Sequence, residues 1–176
     1  MKVLNILLMG LAFVLCGCSE NGDTHDAEIV AAKAERMKWI RMAAEDGNVD
    51  AQVEMGCSYI SPDDLVDGDL SPYGEIRISS ARYWFEKAAQ KDDIRAGYML
   101  YKLSHAQSLH YYGEVLTASL KKLSQSEISH MKSESRRLKV ESDQWCNWYV
   151  EKVIKSGQEY QMDQFLSKYK KAEAEQ

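Results

Sequence analysis

The sequence predicts an all-α chain, a short α-solenoid of antiparallel helix pairs closed by a C-terminal capping helix. Three observations carry this. A pattern of one Trp followed by small residues recurs at a fixed offset. A long segment with a single apolar stripe follows the second copy. The composition, with only 2 Pro and 10 Gly and much Ala, Glu, Lys and Leu, suits helix throughout.

The first segment stands apart from the fold. "MKVLNILLMGLAFVLCGC" opens with Lys2 and continues as an uncharged apolar run from Val3 to Leu15. A spanning helix takes about 20 apolar residues, so this run is too short to cross a bilayer and has the size of a secretory signal core. Its end, Leu15-Cys16-Gly17-Cys18, resembles the bacterial lipobox. That resemblance implies cleavage before Cys18 and lipidation of its thiol, with several acyl chains giving a stable anchor. Ser19, where an Asp would resemble an inner-membrane retention signal, implies the outer membrane, facing the periplasm. An ordinary signal peptide cut at a small residue is the alternative. Residues 1–17 are then a lipoprotein signal peptide, and 18–26 a polar tether. Residues 27–123 hold the helical repeats, and 124–172 the C-terminal capping helices.

The net charge of −5 argues against nucleic acid, which rewards a basic face. The length beyond Cys18 suits one domain.

"WIRMAAEDGNVDAQVEMG" and "WFEKAAQKDDIRAGYMLY" align without a gap. Trp39 matches Trp84, Ala43 and Ala44 match Ala88 and Ala89, Ala51 matches Ala96, and Met55 matches Leu100. Constant spacing in register is the mark of a repeat. Trp39 and Ala43 lie four apart and share a helical face. The small residues admit a second helix closely, while the indole fills space between successive pairs. Gly47 suits the left-handed turn between the helices of the first pair. Met55 and Tyr59 continue the apolar face of its second helix.

This pattern resembles the Sel-one-like repeat, a relative of the tetratricopeptide repeat, whose run is A-x2-W-x3-AA-x3-G-x3-A-x3-LG-x2-Y. The first copy fits at Trp39, Ala43, Ala44, Gly47, Ala51, Met55, Gly56 and Tyr59. The second fits at Ala81, Trp84, Ala88, Ala89, Ala96 and Leu100, but has Asp92 for the turn Gly and Tyr101 for the helix Gly. Those departures predict a looser turn and helix contact in the second copy.

The connection "SPDDLVDGDLSPYGEIRISS" is long and carries Asp63, Asp64, Asp67, Asp69 and Glu75. It is a poor match to a calcium loop, since Leu65 and Gly74 fall where ligands belong. A solvated acidic loop, or a contact surface for a basic partner, remain as readings.

After Leu103 the sequence admits a third, worn pair, with Tyr101 in the Trp position, His105-Ala106 for Ala-Ala, and Gly113 in the second helix. Ser124 and Glu127 then form a capping box that starts a long helix. Its stripe is Ile128, Met131, Ser135, Leu138, Ser142, Trp145 and Tyr149. It resembles the closing helix of Sel-one-like proteins. Gly157 stops it, and "EYQMDQFLSKYKKAEAEQ" reads as a last helix fraying into a charged tail.

No residue stands out for chemistry. His105 and His110 lie five apart, and neither begins a zinc motif. There is no phosphate loop and no nucleophile elbow. The sequence therefore predicts no enzyme, no metal and no cofactor. Cys57 and Cys146 fall on widely separated elements of an open stack, so separate thiols are expected, with a bridge only if the end folds back. Candidate binding residues are the acidic loop and the aromatic runs Tyr83-Trp84-Phe85 and His110-Tyr111-Tyr112, the latter at an expected turn. Because Trp84 is the repeat's own core residue, Tyr83 or Phe85 is left near a surface or an inter-repeat edge. Trp148, off the Trp145 stripe, joins the list.

The resemblance implies binding of a protein. Small Sel-one-like lipoproteins include immunity-type inhibitors of secreted phospholipases and similar effectors. The alternative is a structural adaptor for envelope protein complexes.

Overall fold

The computed structural model describes residues 21–67, 70, 73–157, 164–165 and 167. They form six helices and no strand. These are α1 (Asn21–Glu45), α2 (Val49–Tyr59), α3 (Pro62–Asp67), α4 (Glu75–Ala89), α5 (Ile94–Thr117) and α6 (Gln125–Ser156). The signal segment, the lipobox with Cys18, and most of the last expected helix lie outside the described residues. None of the described helices is long and apolar enough to cross a membrane.

The chain divides into two compact units, Met1–Trp39 and Ile40–Gln176, with the boundary inside α1. In the first unit, helix begins at Asn21, within the segment expected to be a tether. No Pro or Gly interrupts the chain from Asp23 to Asp46, so nothing in the sequence stops the helix from extending back. Ile29, Val30 and Trp39 are exposed on it. Trp39 was expected in the repeat core and is 59 % exposed, whereas its equivalent Trp84 is 7 % exposed. The physical reason is position. No copy of the motif precedes Trp39, whereas α4, which carries Trp84, packs against both α2 and α5.

The second unit shows why the two sequence copies match. At the first turn, the Gly47 amide donates to the Ala44 carbonyl at 3.1 Å and the Asn48 amide to the Ala43 carbonyl at 2.9 Å. Asn48 then caps α2 by accepting from the Ala51 amide at 2.9 Å. At the second turn, the Asp92 amide donates to Ala89, the Asp93 amide to Ala88, and Asp93 accepts from the Ala96 amide at 3.0 Å. Gly47 has φ +93° and Asp92 has φ +64°. The second turn keeps the same bonds with Asp92 in place of Gly, the Asp93–Ala88 bond being longer at 3.3 Å, because Asp is among the residues that tolerate the left-handed region.

One core runs through this unit. Val53 and Ile60 of α2 and its end, Leu65 of α3, Phe85 and Ala88 of α4, and Met99 and Leu103 of α5 are buried together. Gly56 allows the α2–α4 contact. A β-carbon there would lie 2.3 Å from the Phe85 ring, so only Gly leaves room for it. Phe85, one of the candidate binding residues, is therefore fully buried where the two copies meet, and Tyr83 is the exposed ring of the pair.

The third, worn pair does not form. Residues Ile94–Thr117 are one continuous helix, so Tyr101, His105, Ala106 and Gly113 all lie on α5, and the His110-Tyr111-Tyr112 run sits on a helix and not at a turn. The segment has no Pro, and its one internal Gly after Gly97 is tolerated within a helix. The next place in the packing is taken by α6, which lies along α5. Its Ser124–Glu127 capping box is present in both directions, and Gly157 ends it with φ +66°. Serines let the two helices close up. The Ser108 hydroxyl donates to the Ser135 carbonyl at 2.9 Å, and the Ser135 hydroxyl donates to Ser108 at 3.0 Å. Trp148, one of the candidate binding residues, has its ring seated on Gly97, where an added β-carbon would collide with it. Cys57 is buried on α2, and Cys146 is half-buried on α6.

Candidate functional site

The described residues of the inter-repeat connection are held against the core. Pro62 opens α3 at a position where its missing amide costs nothing, and Asp63 and Asp64 fill the first turn, where the helix dipole favours negative charge. Leu65 and Leu70 turn inward and are buried. The Tyr73 hydroxyl donates to an Asp64 carboxylate oxygen and accepts from the Ser61 amide at 3.2 Å. Burial, followed by the bond to Asp64, raises the Tyr73 pKa above its ordinary value. Asp64 is thus a structural clamp. An oxygen of Asp63 is buried with no hydrogen-bond partner among the described residues. Asp67 ends α3, and Asp69 lies outside the described residues.

Held this way, the connection forms one wall of a cleft of about 140 Å³. That wall comprises Leu70, Tyr73, Glu75 and Ile78, and Gln107, His110 and Tyr111 of α5 form the other. Two features that are far apart in sequence, the end of the acidic connection and the His110-Tyr111 run, therefore meet. They meet because α5 is one long helix that carries residues 107–111 back past the start of α4.

The cleft is electrostatically uneven. Glu75 makes no hydrogen bond or ion pair among the described residues. Arg77, two residues on, lies over the Tyr73 ring at 4.8 Å and donates to the Tyr59 carbonyl at 3.0 Å. Burial raises the Tyr111 pKa, and the nearby carboxylates Glu75 and Glu134 raise it further against an opposing pull from Arg137. Arg137 is itself bonded by Glu134 at 3.0 Å and Glu141 at 3.2 Å. Behind the cleft, Arg82 donates to Gln107 at 2.7 Å, to Ser104 at 3.3 Å, and to Glu141. This network holds the Gln107 side chain on the cleft wall and ties α4, α5 and α6 together. The role of Arg82, Ser104 and Glu141 was not visible in sequence, because the three residues are far apart and of common types.

The remaining candidates divide clearly. Tyr112 is 56 % exposed and Tyr83 50 % exposed. Tyr83 lies edge-on to Trp84, with Lys87 over its face at 4.6 Å. Leu109, Tyr112 and Leu116 are all exposed and spaced three and four apart on α5, so they form one apolar stripe beside the cleft helix face. Among the described residues, no three His, Cys, Asp or Glu side chains converge where a metal ion could be held.

Comparison with family models, with curated proteins and with solved structures finds no match.

Proposed function

We propose that this chain is a short α-solenoid of Sel-one-like repeats that binds a protein partner. In this reading it faces the periplasm from the outer membrane, anchored by lipid on Cys18. The observation that supports it most is the identity of the two turns, Ala43–Ala51 and Ala88–Ala96, in hydrogen bonding and backbone hand. Such repeats stack into surfaces that hold peptides or folded partners. The cleft between the inter-repeat connection and α5, lined by Tyr73 and Tyr111, gives this surface an anchoring point.

Most concretely, the chain is an immunity-type inhibitor that occludes a secreted toxin enzyme such as a phospholipase. It is a binding protein and not itself an enzyme. The test is affinity capture from a native envelope extract, using the chain from residue 18 with Cys18→Ser. A single stoichiometric secreted hydrolase, inactive while bound, is the expected result. A set of resident envelope proteins would contradict inhibition and favour the second reading, a scaffold for envelope complexes. That second reading draws on a separate exposed apolar set, Val140, Val150 and Ile154 of α6, which offers another place for contact.

A further inference from the structure

A cleft of about 140 Å³ is too small for a peptide segment and large enough for one long side chain. For scale, a dry cavity of about 150 Å³ accommodates a benzene ring. Its lining says which side chain. Leu70 and Ile78 offer apolar surface along which methylene groups can lie. Tyr73 and Tyr111 offer aromatic rings, and Glu75 offers a carboxylate with no hydrogen bond or ion pair among the described residues. The neighbouring cations do not fill that role. Arg82 and Arg137 are each bonded to carboxylates, and Arg77 donates to the Tyr59 carbonyl and lies over the Tyr73 ring.

We propose that this cleft takes one arginine side chain from the protein partner. The guanidinium stacks on tyrosine and pairs with Glu75, while the stem lies against Leu70 and Ile78. Arginine fits better than lysine because its flat, weakly hydrated head stacks on aromatic faces, whereas an ammonium is a compact, strongly hydrated point charge. It fits better than leucine or phenylalanine because those would bury the approach to Glu75 without pairing its charge. Arginine is also among the residues that dominate protein interfaces. The chain itself supplies a model of the contact, with Arg77 lying 4.8 Å over Tyr73. The net charge of −5 draws a cationic surface toward it.

This inference rests on the partner-binding reading, and its test separates the two. The whole chain is titrated with N-acetyl-arginine amide while the ring signals of His110 and Tyr111 are followed by NMR. The neutral isostere N-acetyl-citrulline amide and N-acetyl-leucine amide serve as comparisons. Arginine amide is expected to move both rings and to saturate, with binding about two- to fivefold weaker in Glu75→Gln, the effect of one exposed charge pair. Equal shifts with the citrulline or leucine amide, or unchanged arginine binding in Glu75→Gln, overturn the assignment. The captured partner is then compared on wild type, Glu75→Gln and Tyr111→Ala. A partner held equally by all three overturns the arginine assignment and leaves partner binding standing. Arginine amide binding as expected, with no partner captured from the envelope, upholds the cleft's chemistry and removes the partner-binding reading.

Discussion

Asp50 and Arg95 occupy the same position in the two copies of the repeat, and they bond to each other at 2.7 Å across the interval between them. Nearby, Lys91 of the second turn donates to the Gly47 carbonyl of the first, and Lys152 of α6 donates to Asp92 of the second. Each turn is therefore bonded by a lysine from later in the chain. The aromatic contacts obey the same order, with Phe85 of α4 on Gly56 of α2 and Trp148 of α6 on Gly97 of α5.

The Asp50–Arg95 pair contributes little by itself. Asp50 is 81 % exposed, and exposed pairs are worth about 0.2–1 kcal/mol. A double-mutant cycle with Asp50→Ala and Arg95→Ala, read by urea unfolding, should give a coupling below about 1 kcal/mol. Asp93→Ala should cost more, about 1–2 kcal/mol, because Asp93 caps α5 and bonds Arg95 at 2.6 Å. A coupling larger than the cap loss would show that the copies are joined mainly by charge.

The two glycine seats make a sharper demand. Gly97→Ala places a methyl group against the Trp148 ring and should destabilise by about 1–3 kcal/mol, as overpacking does. Combined with Trp148→Leu, it should cost less than the sum of the single changes. Additive costs would mean that the ring is not the obstacle.

Trp39 and Trp84 are equivalent in sequence and opposite in setting. Trp84→Ala should cost about 3–5 kcal/mol, in the range of large core truncations. Trp39→Ala should fall within about 0.5 kcal/mol, as for an exposed site. Retaining each Trp singly and measuring acrylamide quenching gives a second readout, with Trp39 the more accessible.

Tyr73, Tyr98 and Tyr111 all have pKa values raised above 10.0, chiefly by burial. The unfolded chain loses these phenolic protons first. Their contribution to stability is therefore complete below pH 10 and declines as pH rises from 10 through the higher folded values. Ultraviolet titration of the folded chain should show a late group of tyrosines that becomes normal on unfolding. Tyr73→Phe should remove one of them and, by leaving Asp64 without its donor, cost about 1–3 kcal/mol. A single titration at the ordinary value would contradict this.

The repeating turns were legible in sequence because their determinants are local. The Ala pairs, the Asn48 and Asp93 caps and the Ser124–Glu127 box each act within one or two turns of helix. The cleft was legible only as separate parts. Glu75 and Tyr111 each stood out, but their meeting depends on α5 running unbroken to Thr117, and a third pair would have carried Tyr111 elsewhere. Tyr101 was read as a loss of the helix Gly. The close approach instead moves one turn earlier, to Gly97, and is filled by Trp148 from a helix the repeat pattern does not include. The sequence left the choice between Tyr83 and Phe85 open for a related reason. A row of three aromatics does not say which ring has a glycine opposite it.

The most direct measurement is capture of a partner from native envelope extract by the chain from residue 18 carrying Cys18→Ser, run in parallel with Glu75→Gln and Tyr111→Ala. Capture of one secreted enzyme in equal proportion by the otherwise unaltered chain, reduced by both changes, is the predicted result. Recovery of no specific protein, or of a partner indifferent to both changes, would contradict a binding function centred on this cleft.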